Sequence, residues 1–165
     1  MPALRRLIPF ALVLALAAGC GSTKHATTTP ASPAGLLGTD AKVLYSGGDW
    51  AVVTRGDRVV AAHLENGAWR ADRSGIVKVS VLGPGKRAAA RPQVAAEISG
   101  PSRIVEEGLW IDGVELLEKG GGVKPSLVTV YGAPDANLKP GSHVAVAYGR
   151  TQDHGTAVAW TFTVA

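Results

Sequence analysis

Apolar residues change their pattern twice along this chain. Leu7 to Ala18 is a Leu/Ala/Val-rich run without a single Asp, Glu, Lys or Arg. Gly21 to Gly38 is then dominated by Ser, Thr, Pro, Gly and Ala, as in Thr27-Thr28-Thr29-Pro30-Ala31-Ser32-Pro33. From Thr39 onward Val, Trp, Tyr and Thr gather in short runs, broken by Gly, Pro, Asp or Asn at intervals of roughly eight to twelve residues. No window sustains a helical period over about three turns. The pattern predicts an all-β fold preceded by two segments that are not part of it.

The first strands form a small antiparallel meander over residues 39–74. Trp50 to Arg55 is one strand, Arg58 to Leu64 the return and Trp69 to Ala71 a third. Gly56-Asp57 and Asn66-Gly67 between them are two-residue hairpin signals, because such turns need left-handed backbone that Gly, Asn and Asp adopt at low cost. Residues 75–165 carry seven further runs: Ile76–Leu82, Gln93–Ser99, Gly108–Ile111, Val114–Leu117, Ser126–Tyr131, Ser142–Gly149 and Thr156–Val164. Their number and spacing predict an immunoglobulin-like antiparallel sandwich. On the last run Trp160 and Phe162 share a face with Val158 and Val164 and are expected in the core. The run after His143 is apolar on both faces, Ala145 and Ala147 on one, Val144, Val146 and Tyr148 on the other. A strand of period two hides both sets only if both faces are covered. The meander, too small to be stable alone, is therefore expected to lie on this sheet with Trp50 and Trp69 as anchors.

The N-terminal run has an address function. Met1 to Arg6 is a short basic segment, and Leu7 to Ala18 has the length of a signal-peptide core, below the roughly 20 residues a membrane span needs. Residues 1–19 are thus read as a signal peptide ending at Gly19, before Cys20, the only cysteine of the chain. Residues 20–38 are read as a disordered tether. One cysteine excludes an internal disulfide. Without Arg5 and Arg6 the 17 basic residues fall to 15 against 13 acidic ones, a charge of +2 that gives no basis for a nucleic-acid partner.

Leu16-Ala17-Ala18-Gly19-Cys20 resembles the lipobox of bacterial lipoproteins, with Ala17 where that motif usually has Leu. The resemblance implies cleavage between Gly19 and Cys20 and a diacylglycerol thioether on Cys20. The protein is then expected to be exported and held by its lipid to the cell membrane, facing the envelope or exterior. The second half is similar to bacterial immunoglobulin-like surface domains. The likeness rests on Val81-Leu82-Gly83-Pro84, Pro92 to Ile98, Leu109-Trp110-Ile111-Asp112-Gly113, Leu138 to His143 and Trp160 to Val164. In that group a residue at the place of His143 bonds back to a neighbouring loop, which implies that His143 is a structural corner.

Chemistry-bearing residues form no recognisable set. The serines lack a Gly-x-Ser-x-Gly elbow, and the adjacent Glu106-Glu107 point apart on a strand. His63, His143 and His154 lack the paired spacing of metal ligands, and Gly120-Gly121-Gly122 lacks the strand-to-helix setting of a phosphate loop. No catalytic residue, metal or cofactor is assigned. Arg55-Gly56-Asp57 spells an adhesion tripeptide that a simple turn also explains. Arg70, Arg73, Lys78, Lys86, Arg87, Arg91 and Arg103 form a basic stretch that suggests a face for anionic lipid headgroups or an anionic wall polymer. The expectation is a non-enzymatic binding or structural module whose partners are the membrane, through Cys20, and an envelope protein or wall polymer. The alternative is an accessory subunit of an envelope enzyme or a weak hydrolase.

Overall fold

The computed structural model describes residues 31–72, 75–116 and 124–165; residues 1–19, expected to be a signal peptide, Cys20 and the connection Gly120-Gly121-Gly122 lie outside the described residues. Twelve strands follow a short 3-10 turn at Pro33–Leu36: β1 (Lys42–Gly47), β2 (Trp50–Arg55), β3 (Arg58–Glu65), β4 (Ala68–Ala71), β5 (Lys78–Gly83), β6 (Arg87–Ala88), β7 (Val94–Ser99), β8 (Glu106–Ile111), β9 (Val114–Glu115), β10 (Leu127–Gly132), β11 (Gly141–Arg150) and β12 (Gly155–Val164). They build three sheets of order β1-β2-β3-β4, β10-β7-β5 and β6-β12-β11-β8-β9. All pairings are antiparallel except β12 with β6. The fold is an antiparallel β sandwich with a meander packed on it.

The five-stranded sheet is the middle layer. One face packs Leu109, Ile111, Ala145, Ala147, Phe162 and Val164 against Val94, Ala96 and Ile98 of the three-stranded sheet. The other face presents Trp110, Val146 and Tyr148 to Val52 and Ala61 of the meander. Strand β11 thus buries its two apolar sets on opposite sides, as the period-two argument requires. Ala61, Ala157 and Ala159 line the meander interface, and their small side chains let the layers approach. Gly149 does the same on the opposite face, where a Cβ would sit 2.3 Å from Ile98.

Two hairpins have the geometry their sequences foretell. Asn66 and Gly67 have φ of 52° and 78°, and Asp112 and Gly113 have 50° and 84°, the two left-handed residues of a type I′ turn. Gly56 alone is left-handed in its turn.

Several expectations need correction. Of the two tryptophans only Trp50 anchors the meander on the sandwich, covering Gly155. Trp69 pairs with Leu64, one position out of phase with the Trp50–His63 pair, so it points to the far side of the meander. There it lies with Leu36 beside a shallow hollow. Ordered structure also begins before Gly38, inside the stretch expected to be a tether, because Pro33–Leu36 turn and Leu37 is buried at 7 % exposure. Trp160 is half-buried at the core margin, whereas Phe162 is fully enclosed. Strands β1 and β6 add to the expected set, and β9 stops at Glu115.

Candidate functional site

His143 begins the buried part of β11 and ties together two loops. Its Nδ1 lies 2.6 Å from Asp112 Oδ2 and its Nε2 2.8 Å from the Lys139 carbonyl. Both partners accept, so the pair of contacts favours the doubly protonated ring, the imidazolium. The Asp112 hydrogen bond, followed by that to Lys139, raises its pKa. Asp112 Oδ1 accepts from the Val144 amide at 2.9 Å, and the ring stacks on Phe162 with centroids 5.6 Å apart. Every polar atom of the corner is therefore engaged in holding the β8–β9 turn against the start of β11. Sequence reasoning named His143 but missed Asp112 as its partner. The signal was present in the turn motif Asp112-Gly113, whose carboxylate needs a donor.

This corner supports a cleft of about 300 Å³ between the β8–β9 hairpin and the loop from Ala133 to Leu138. Ile111, Val114, Leu116 and Leu138 give it apolar walls, and Asp112, Glu115 and Asp135 place carboxylates around it. Val114, 68 % exposed, stands at its rim. The cleft lies at the loop end of the sandwich that also holds Gly113 and Gly141.

A second polar cluster sits between the layers at the other end. Glu106 Oε2 accepts from Tyr45 Oη and from Arg150 Nε, both at 2.7 Å. The Arg150 hydrogen bond holds the Glu106 carboxyl below its usual range. Burial and the Glu106 bond push the Tyr45 phenol up to about 12. The Arg150 guanidinium lies 5.3 Å from the Trp50 ring centre, a cation–π contact. Asp72 accepts from the Gly155 amide, so the chain leaving the meander is bonded to the start of β12. These contacts join meander to sandwich and are not legible from sequence, since Tyr45 and Glu106 are 61 positions apart.

The remaining candidates are dispersed. His63 is half-buried against Trp50, with ring centroids 5.4 Å apart, and His154 lies in the hairpin turn closed by Thr151. Among the described residues no three His, Cys, Asp or Glu side chains are grouped to hold a metal. Arg55 of the Arg-Gly-Asp turn is bound to Asp40 at 3.2 Å and to the Leu37 carbonyl at 3.3 Å. The basic stretch does not assemble into one face. Lys78 lies at the Ser99 end of the sandwich, Arg87 lies beside Thr163 at the opposite end, and Arg70 pairs with Glu65 on the meander. Arg73 is outside the described residues. Comparison with protein-family models, with curated proteins and with solved structures found no match to this chain.

Proposed function

We propose that the protein is exported, is held to the membrane by a lipid on Cys20, and works as a binding module of the cell envelope. Residues 75–165 form its immunoglobulin-type part. That reading is supported by the strand order, in which β5, β7 and β10 make one sheet while β8, β11 and β12 lead the other. The single observation that carries the binding role is the cleft at the loop end, apolar within and acidic around, braced by the Asp112–His143 corner. Concave sites with apolar walls and a few fixed polar groups are where binding energy concentrates. Acid around the cleft favours a protein partner presenting apolar and basic side chains over an anionic wall polymer.

A photo-crosslinking residue at Val114, introduced in the native cell, tests this. The expected result is a discrete envelope-protein adduct from position 114 and none from Gln152, exposed at the opposite end. Equal adducts from both positions, or none from 114, contradict the binding role of the cleft.

A further inference from the structure

A smaller cavity, of about 120 Å³, opens at the margin of the layer interface between β1 and the β8–β9 edge. Three aromatic side chains line it: Tyr45 from the meander, and Trp110 and Tyr148 from the middle sheet. The two tyrosine rings are 5.7 Å apart and tilted by 34°. Trp110 lies back over Gly108, where a Cβ would be 2.2 Å from its ring, so this wall is fixed by a residue with no side chain.

Glu106 and Glu115, on the Trp110 face of the middle sheet, bring carboxylates to the lining, whereas Glu107 alternates to the other face. Glu106 is neutralised by Arg150, whereas Glu115 enters no ion pair among the described residues. The cavity therefore carries uncompensated negative charge beside aromatic rings. Tyr148 adds the decisive feature. It is 1 % exposed, yet its buried hydroxyl has no hydrogen-bond partner among the described residues. Leaving such a group unsatisfied is costly, and a donor brought by a ligand removes that cost.

Rings, acid and a buried hydroxyl able to accept together suit a cation with N–H donors. Ring faces attract positive charge, carboxylates steer it inward, and the phenol oxygen accepts a hydrogen bond. We propose that this cavity binds an organic ammonium group, supplied either by a lysine side chain of a partner or by a free small amine. The site shares Glu115 with the rim of the loop-end cleft and requires neither the rest of that cleft nor the lipid anchor.

The full chain in an uncharged detergent is titrated with n-butylammonium, tetramethylammonium and neutral tert-butanol, read by calorimetry and by the fluorescence of Trp110. Both cations should saturate with Kd on the order of 1 mM, and tert-butanol should not bind. Tyr148→Phe should weaken butylammonium about tenfold and tetramethylammonium, which has no N–H, less than about twofold. Glu115→Gln should weaken both cations roughly three- to fivefold. Acetyl-Gly-Lys-Gly-amide binding more tightly than butylammonium assigns the ligand to a protein side chain; equal or weaker binding assigns it to a free amine. Absence of saturation by about 50 mM with both cations, tert-butanol binding as tightly, or equal losses for the two cations in Tyr148→Phe would overturn the proposal. Crosslinking from Val114 is expected to be the same in Tyr148→Phe, so the two sites fail or stand independently.

Discussion

Truncating Val52 to Ala measures how tightly the meander and the sandwich are coupled. Val52 is fully buried on β2 and shares its cluster with Trp110, Val146 and Tyr148 of the middle sheet. The substitution removes two buried carbons, at about 0.8 kcal/mol each by transfer alone. The space left, roughly 50 Å³ if nothing relaxes, adds about 1 kcal/mol at about 24 cal/mol per Å³. A loss of about 2–3 kcal/mol follows. For a folded unit of roughly 125 residues this lowers Tm by about 8–12 °C. The assay is urea unfolding followed in parallel by far-UV circular dichroism and tryptophan fluorescence, with Trp50 and Trp69 reporting from one part and Trp110 and Trp160 from the other. One transition, coincident by both probes, should move to lower urea with unchanged slope. Two transitions, one of them indifferent to Val52→Ala, would refute the coupling, as would a loss below about 1 kcal/mol.

Other substitutions separate core from margin and read the charged corner. Phe162→Ala should cost about 3–5 kcal/mol, and Trp160→Ala distinctly less because that ring is half-buried; equal losses in urea melts would contradict the packing. His143 has a raised folded-state pKa, so its contribution is complete below its unfolded pKa, near 6.5, and is lost as pH rises through the folded value. The stability advantage of the natural chain over His143→Gln should therefore shrink as pH rises above about 6.5, and an advantage that stays constant as pH rises would mean that the imidazolium does not matter.

The sequence announces elements through turns and alternation, and it is least informative where contacts are distant or periods break. Asn66-Gly67 and Asp112-Gly113 fix their hairpins because only left-handed residues close a two-residue turn of the right twist. The two-faced apolar pattern of β11 announced a covering layer, and Val52 and Ala61 supply it. The direction of Trp69 was also legible: counting outward from Asn66-Gly67 sets it opposite Leu64, hence out of phase with Trp50. Likewise Leu36-Leu37, an apolar pair in a polar segment, marked where folded structure begins.

Strand β1 was hidden by a bulge between Val43 and Tyr45, which breaks the period of two. Strand β6 is two residues long and pairs only with the end of β12, too short for any period. The Tyr45–Glu106–Arg150 cluster had no local signature, because each partner is an ordinary strand residue until the layers stack. The loop-end cleft is similar: its walls come from β8, β9 and a loop past residue 133, joined only by topology.

The central claim is that the folded part works at a membrane, held there through Cys20. It is tested most directly by feeding cells an alkyne-bearing fatty acid and comparing the natural chain with Cys20→Ser. The natural chain should carry the label, partition with membranes, and have the mass of residues 20–165 plus lipid. Cys20→Ser should be unlabelled and retain residues 1–19. Label on Cys20→Ser, or a natural chain that is unlabelled and still begins at Met1, would contradict the account.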